Sequence, residues 1–365
     1  MADQQPVVEL GLDTFGDRTV DRQGDPVSYP QVIRDVVEEA VLADEVGVDF
    51  FGIGEHHRED FAISAPEVVL AAIAARTARI RVGTAVTVLS SDDPVRVFEK
   101  FATLDAISNG RAEIILGRGS FTESFPLFGF DLQDYEGLFE EKVGLLHELL
   151  KEQPVTWQGA LRPPLTDADV FPKTEGGIRT WVGVGGSPES VVRAARYGFP
   201  LVLAIIGGEP ARFAPYVDLY HRALAQLGRP DLPIAVHSPG FIAETDEKAR
   251  DLYWPGYQAM NDRLGRERGW PPVTRDRFEA EIEHGAQHVG SPETVAQKIA
   301  TTVRSLGIQR FDLKYTSGNT AHEHLMAGIE LYGTQVIPRV RELLAADAAA
   351  PLEEPVVEAT ETSAP

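Results

Sequence analysis

The chain has 365 residues, of which 43% are hydrophobic and 25% are charged, so it can bury a large core and is not globally disordered. Its 34 Lys and Arg against 56 Asp and Glu give a formal net charge of -22, which repels phosphate backbones and anionic membranes and argues against a nucleic-acid partner. The chain has no Cys, which excludes disulfides, thiolate metal sites and a Cys nucleophile, so redox chemistry requires a cofactor.

The beginning of the chain, MADQQPVVEL, has no basic region followed by an apolar stretch, which a secretory signal would need. No window of the sequence reaches the roughly 18 apolar residues of a membrane helix. The sequence therefore predicts a cytoplasmic protein with no membrane partner.

Short apolar runs alternate with longer amphipathic stretches, a pattern typical of a parallel sheet covered by helices. We expect strands near 7–12, 49–53, 80–88, 112–117, 180–185, 200–205, 233–240 and 310–315. We expect helices near 30–46, 66–77, 95–107, 133–151, 188–197, 210–227, 245–262, 292–305 and 321–345. This number of strands favours a closed (β/α)8 TIM-like barrel, with insertions at its C-terminal face, over an open sheet.

Residues 1–346 are predicted to form one barrel domain with two insertions. Residues 152–178 are rich in Pro, Gly and polar residues and are expected to form a small hairpin. Residues 253–290 mix aromatic residues, Pro and helical turns, and we interpret them as a lid over the barrel mouth. The tail at 347–365, rich in Ala, Pro and Glu, is expected to be disordered.

The first candidate site is Glu55, His56 and His57, which follow the apolar strand Phe50-Phe51-Gly52-Ile53. Imidazole and carboxylate groups at the C-terminal end of a barrel strand can move protons near neutral pH or bond a polar ring. A metal site and a purely structural role are the alternatives. The metal is the least favoured of the three, because no spaced partner His or Asp is evident.

Two further strand ends carry candidate binding residues. Thr84 and Ala85 are small enough to let a flat ring approach the backbone, although alone the segment 82–94 is an ordinary strand-to-helix junction. Arg118 lies between glycines and could bind a phosphate or a carboxylate, or pair with acidic neighbours.

The segment 182–200 ends a strand with Gly185, Gly186 and Ser187 and begins a helix that contains Ser190. Free backbone N–H groups and two hydroxyls converge there at the positive end of the helix dipole, which favours a phosphate. Ser187 as an ordinary N-cap is the alternative, and the similar GSPET at 290–294 is expected to be only a capped helix start.

Together these segments resemble the bacterial luciferase-like flavin monooxygenase family over about residues 8–345. The resemblance is carried by GEHH at 54–57, the segment VGTAVTVLSSDDPVRVFEKFATLDAISNGR at 82–111, LGRG at 116–119, FPLFGFD at 125–131 and VGGSPESVVRAARYGFPLVLA at 184–204.

The resemblance implies a TIM-like barrel that holds FMN at its mouth, with His56 near the flavin and Glu55 and His57 beside it. It implies a non-proline cis peptide around Thr84 to Val86. It assigns the phosphate to Arg118 and to Gly186, Ser187 and Ser190. Gly186 replaces a carboxylate of the luciferase chain, which leaves backbone donors to do more of the binding.

The implied activity is a monooxygenase that takes reduced FMN from a separate reductase and uses O₂ to oxygenate a small organic substrate, with His56 donating or accepting a proton. The resemblance also implies a homodimer. An F420-dependent dehydrogenase, a non-catalytic flavin-binding protein and a metal-dependent hydrolase are the alternatives. No GxGxxG motif follows an early strand, so the chain is not expected to bind NAD(P)H.

Overall fold

The centre of the molecule consists of short strands that are buried on both faces, as the apolar runs of the sequence predict. A computed structural model describes residues 7–119 and 121–348. The strands are β1 (Glu9–Thr14), β2 (Phe50–Ile53), β3 (Arg81–Thr84), β4 (Thr87–Val88), β5 (Ala112–Gly117), β6 (Val155–Trp157), β7 (Leu165–Ala168), β8 (Arg179–Val184), β9 (Leu201–Ala204), β10 (Ile234–Ile242), β11 (His288–Gly290) and β12 (Arg310–Lys314).

Helices connect these strands and cover the outside of the sheet. They are α1 (Tyr29–Glu45), α2 (Pro66–Ala74), α3 (Pro94–Ser108), α4 (Ser124–Phe128), α5 (Tyr135–Leu149), α6 (Pro188–Tyr197), α7 (Ala214–Gln226), α8 (Asp246–Arg268), α9 (Arg275–Glu283), α10 (Pro292–Leu306), α11 (His322–Leu331) and α12 (Ile337–Ala348). Short 3₁₀ turns precede α5 and α7, and a π-helical turn joins α11 to α12. The tail predicted to be disordered lies, from residue 349 onward, outside the described residues.

Eight of the strands pair in parallel in the order β1, β2, β3, β5, β8, β9, β10 and β12, and β12 pairs with β1 to close the ring. The predicted (β/α)8 barrel is therefore confirmed. In this ring β8 lies opposite β1, four strands away in either direction. The C-terminal ends of all eight strands meet at one face, which we call the mouth.

The base of the barrel is closed by buried side chains. Arg310 is fully buried; it donates hydrogen bonds to Glu113 (2.6 Å) and Asp312 (2.8 and 2.9 Å), and its guanidinium lies 3.5 Å from the centre of the Phe50 ring. Trp181 is also fully buried and donates its indole N–H to Glu113 (3.1 Å). Because each charge has a buried partner, this layer can exist inside the barrel without water.

The two predicted insertions have defined structures. Within 152–178, β6 and β7 form the expected antiparallel hairpin. The segment 253–290 is more ordered than its composition suggested, because α8 continues through Pro255 to Arg268 and is followed by α9 and β11. Gly256 fixes the place of α8, since a Cβ there would lie 1.8 Å from the carbonyl oxygen of Ser317. The helix therefore packs backbone to backbone against the loop after β12.

Candidate active site

Small residues form much of the inner wall at the mouth. The strands β2, β3, β5, β8 and β9 carry Gly52, Gly54, Ala85, Gly117, Gly183, Gly185 and Ala204 at or just beyond their C-terminal ends. Gly54 packs against Phe15 and Gly117 against Val86, whereas a Cβ on Gly185 would meet no atom within 4 Å, so the wall is open beside Gly185.

A cis peptide bond between Ala85 and Val86 shapes the floor of this space, where the family resemblance implies one. The Val86 side chain packs over two glycines: a Cβ on Gly117 would lie 2.4 Å from Val86 Cγ2, and one on Gly183 would lie 3.3 Å from Val86 Cγ1. Ala85 and Val86 thus add to the apolar cluster inside the barrel. Thr84 is fully buried and its hydroxyl pairs with Thr87 (2.8 Å), so its side chain does not reach this floor.

Glu55 links the histidine loop to the neighbouring strand. Its Oε1 lies 3.0 Å from Nε2 of His57, and its Oε2 accepts a hydrogen bond from the backbone N–H of Val88 (3.1 Å). The side chains of Glu55 and His57 are each only 10% exposed. The carboxylate therefore fixes the orientation of His57 rather than facing solvent.

His56 is enclosed by aromatic rings. Its ring centre lies 4.3 Å from that of Phe61, 4.8 Å from that of Phe15 and 5.3 Å from that of Phe121. Glu123 Oε1 lies 4.0 Å from His56 Nδ1. Burial raises the pKa of Glu123, but His56 and nearby backbone N–H groups outweigh that effect and hold the pKa below its usual value. We call the loop Glu55–His57 with these three rings the histidine end of the mouth.

The predicted phosphate loop has the expected local form. Ser187 caps α6, and its Oγ accepts a hydrogen bond from the backbone N–H of Ser190 (3.3 Å). Gly186 has a φ of 113°, which favours glycine, and Tyr216 donates to its carbonyl oxygen (2.8 Å). A Cβ on Gly185 would meet no atom within 4 Å, so open space lies directly beside this loop.

Two arginines converge on this loop. Arg118 pairs with Oε1 of Glu136, and Arg193 Nη2 lies 3.5 Å from Oε2 of the same carboxylate. Arg193 also donates to Ser190 Oγ (3.2 Å), and its side chain is only 9% exposed. The sequence interpretation missed Arg193, although its spacing of three residues from Ser190 on one helix places both on one face. We call Gly185–Ser190 with the two arginines the phosphate end.

Three buried charged side chains complete the mouth on β1, β10 and β12. His237 Nδ1 lies 2.8 Å from Asp13 Oδ2, and Lys314 Nζ lies 3.0 Å from Asp17 Oδ2. Burial lowers the pKa of His237, but the charge and hydrogen bond of Asp13 outweigh it and raise the pKa above its usual value. None of these residues was identified from the sequence, since an aspartate and a histidine 224 residues apart give no local pattern.

The end of α8 crosses toward the histidine end. Glu267 accepts two hydrogen bonds from Arg58 (2.6 and 3.2 Å), and Arg263 pairs with Glu59. Because α8 follows β10 and residues 58 and 59 follow β2, these ion pairs join elements that start on well-separated sides of the mouth.

The described residues contain one group of three side chains with metal-ligand spacing: Asp35, Glu38 and His322, whose ligand atoms lie within 4.8 Å of one another. It lies between α1 and α11, away from Glu55–His57, and His322 Nδ1 is already 2.9 Å from Glu39. In the described part of the chain, no helix is both long and apolar enough to cross a membrane.

Comparison with known proteins links this geometry to characterised relatives. The alkanal monooxygenase alpha chain of Photobacterium leiognathi is 23% identical over 342 residues, which are 86% of this chain and 95% of that one. The monooxygenase RslO1 of Streptomyces bottropensis superposes with a TM-score of 0.78 at 25% identity, covering 90% of this chain and 99% of its own.

The oxygenating constituent of 3,6-diketocamphane monooxygenase from Pseudomonas putida, solved in complex with FMN, has a TM-score of 0.73 at 20% identity and covers 92% of this chain and 99% of its own. F420-dependent enzymes also share the fold. The family model described as luciferase-like monooxygenase matches residues 14–310. The chain therefore belongs to the luciferase-like monooxygenase family.

Proposed function

We propose that this protein is a flavin-dependent monooxygenase that takes reduced FMN from a separate reductase and uses O₂ to oxygenate a small organic substrate. The observation that carries the proposal is the phosphate end, where two arginines and a capped helix start border open space. An apolar floor of Ala85 and Val86 adjoins that space within the same mouth.

The residues of the phosphate end fit a phosphate group. Arg118 and Arg193 offer guanidinium donors, and the N-terminus of α6 offers backbone N–H groups and the hydroxyls of Ser187 and Ser190. The open space beside Gly185 is where a phosphate would reach these donors. Glu136 now bridges the two arginines, and because its side chain is 62% exposed it can turn into solvent when a phosphate takes its place.

The floor fits a flat aromatic ring. Ala85 and Val86 present an apolar surface above the buried Phe50, Ile115 and Trp181, and the Val86 side chain covers the neighbouring Gly117 and Gly183. When bound in reduced form, FMN would supply the reaction with O₂ that the protein side chains cannot perform.

The remaining residues of the mouth would orient the reactants and exclude water. His56, held among three phenylalanine rings, is the candidate to donate or accept a proton at a ring nitrogen. Glu55 holds His57 in place. The end of α8, tied to Arg58 and Glu59, would act as the lid that keeps water from the reactive cofactor.

Equilibrium binding of oxidised FMN, anaerobically reduced FMN and F420 tests the proposal on the wild type, Arg118→Ala and Ser187→Ala. Each variant should weaken FMN binding by about 1–3 kcal/mol, the cost of losing a charge-assisted hydrogen bond. Arg222→Ala is the matched control and should bind as the wild type does, because Arg222 is an exposed residue of α7 whose guanidinium bonds the carbonyl oxygen of Asp218.

F420 binding without FMN binding would instead identify a deazaflavin-dependent dehydrogenase on the same barrel. FMN binding with no consumption of O₂ beyond that of free reduced FMN would identify a non-catalytic flavin-binding protein. The implied homodimer is tested separately by light scattering, since a particle of the 39.9 kDa chain mass would exclude it.

A further inference from the structure

The inner wall of the mouth differs sharply between its two sides. The strands β2, β3, β5, β8 and β9 carry glycine and alanine at or just beyond their C-terminal ends. In contrast, β1 and β12 carry Asp13 and Lys314, which pair in register, and β10 carries His237, which pairs with Ala204 and Asp312. Inward-facing polar residues at the C-terminal ends of barrel strands are where ligands are bound. The charged side of the wall has no part in the proposed function as described so far.

Lys314 is fully engaged within the protein, but the pair formed by Asp13 and His237 is not. Lys314 Nζ bonds both carboxylate oxygens of Asp17 (3.0 and 3.2 Å). Asp13 uses only Oδ2, toward His237 Nδ1, and its Oδ1 is buried without a hydrogen-bond partner. A buried carboxylate oxygen without a donor is costly, so this site is not arranged for stability alone.

His237 presents its other ring nitrogen to the mouth. Nδ1 is taken by Asp13, and Nε2 has no hydrogen-bond partner among the described residues. The side chain is 11% exposed, and because the barrel base is closed by the layer around Arg310, that exposed part opens to the mouth. The Phe15 ring lies parallel to His237 at 6.0 Å and also contacts His56, so it separates the two histidines.

The position of the pair relative to the phosphate end indicates what it would contact. The phosphate loop follows β8; His237 is on β10, two strands from β8 in the ring, and its partner Asp13 is on β1, opposite β8. A ligand held by its phosphate beside β8 and lying across the apolar floor extends toward β1 and its neighbours. For FMN, the part that arrives there is the ring system.

We propose that His237, oriented by Asp13, is a cofactor-binding residue that donates a hydrogen bond from Nε2 to the flavin ring and favours its reduced, anionic form. This inference rests on the proposed function. The reduced ring carries negative charge over N1 and the adjacent carbonyl oxygen, and a nearby cation stabilises that charge. Asp13 is then a positioning residue, since it acts through His237.

The net effect of the groups around His237 is to raise its pKa. Asp13 on β1 and Asp312 on β12 favour its charged form, Lys314 on β12 opposes it, and the facing Phe15 and Ala204 carry no charge. Lys314 is in turn neutralised by Asp17. The preference for reduced FMN should therefore fall as the pH rises through the pKa of His237.

The test compares dissociation constants of oxidised and anaerobically reduced FMN for the wild type, His237→Gln and Asp13→Asn, by calorimetry at several pH values. His237→Gln should lower the preference for reduced FMN about tenfold, the size of one charge-assisted hydrogen bond, and should remove most of its pH dependence. Asp13→Asn should lower the preference by a smaller factor. A preference within about twofold of the wild type in His237→Gln would overturn the inference.

His221→Gln is the matched control, because His221 also pairs with an aspartate, Asp231, but on the exposed surface. It should leave both dissociation constants unchanged. If the buried variants do not fold, NMR of the histidine-labelled wild type tests the contact instead. Oxidised FMN should shift the imidazole signals of His237 and leave those of His221 in place. No shift at His237 would contradict the contact. A wild type that binds neither form of FMN would refute the proposed function and this inference with it, whereas binding without the His237 effect refutes the inference alone.

Discussion

At the histidine end, His56 touches three phenylalanine rings and Glu55 joins His57 to the backbone of Val88, whereas at the phosphate end Gly185 borders open space and the two arginines are bridged by an exposed carboxylate. The first region is packed before any ligand arrives. In the second region, Arg118 and Arg193 are paired with Glu136, an exposed side chain that a ligand can displace. Under the proposed function, the difference predicts that the flavin ring would enter a preorganised region and that phosphate binding would rearrange the phosphate end.

The largest effect on FMN binding should come from replacing Arg193, which contacts both Glu136 and the hydroxyl of Ser190 at the phosphate end. Arg193→Met should weaken FMN binding by about 1.5–3 kcal/mol, because a charged donor is lost, and should leave riboflavin binding unchanged, because riboflavin has no phosphate. Fluorescence titration with both ligands measures this. Arg196→Met is the control, since Arg196 is 58% exposed and its guanidinium pairs, within the described residues, with Glu140 rather than with Glu136 or Ser190. Equal losses for FMN and riboflavin would show general damage to the fold instead.

Two glycine variants distinguish a packed position of the barrel wall from an open one. In Gly117→Ala the new Cβ would lie 2.4 Å from Val86, so overpacking should lower the free energy of unfolding by about 1–3 kcal/mol. In Gly185→Ala the new Cβ meets nothing, and the free energy of unfolding should change by less than about 0.5 kcal/mol. Urea unfolding of both proteins measures the contrast, and equal destabilisation would show that the two walls do not differ as described.

Glu136 provides a test of opposite sign. Glu136→Gln removes the carboxylate that competes with phosphate for Arg118 and Arg193, so FMN binding should become tighter by about 0.2–1 kcal/mol, the worth of an exposed ion pair. Titration with FMN and with inorganic phosphate measures it. Glu148→Gln, at another exposed pair, should change neither. Weaker binding in Glu136→Gln would mean that Glu136 supports the site rather than occupying it.

The smallest effect is a loss of stability at acid pH, caused by protonation of Glu123 at the histidine end. Since the folded pKa of Glu123 is below the usual 4.5, its contribution to stability is complete above pH 4.5 and is lost as the pH falls through the lowered value. The loss should be at most about 0.5 kcal/mol, because the carboxylate is partly exposed. The free energies of unfolding of the wild type and of Glu123→Gln are measured between pH 3 and 6, a range of about three units around the usual glutamate pKa. The two values should converge at the acid end. Parallel curves would contradict the pairing.

Local sequence patterns predicted the barrel well because each strand and each helix cap is encoded by neighbouring residues. The strand before Glu55 and the Ser187 cap are examples, and both appear where they were expected. The helix predicted near 245–262 already ran through Pro255, but its extension to Arg268 and the packing of Gly256 on Ser317 were not predicted, because both depend on tertiary contacts. The sequence interpretation of Thr84 as a cofactor-binding residue did not predict that its side chain is fully buried, because burial depends on the side to which a strand residue points.

The site was only partly predictable for the same reason. Glu55, His56, His57 and Ser187 lie in recognisable motifs, and the structure shows how their side chains are held. Asp13 and His237 belong to strands that are not neighbours in the barrel, so only closure of the ring brings them together. Pairs of this kind carry no signal within a single sequence.

The closed base described above has a consequence for the order of events. In the described part of the chain, Arg310, Glu113 and Trp181 block the far side of the barrel, so ligands would enter through the mouth. A cofactor lying on the floor is then covered by whatever enters after it, and it cannot depart until that later molecule has left. Binding would follow a compulsory sequence, cofactor first and organic substrate second, with the oxygenated product released before the spent cofactor is exchanged.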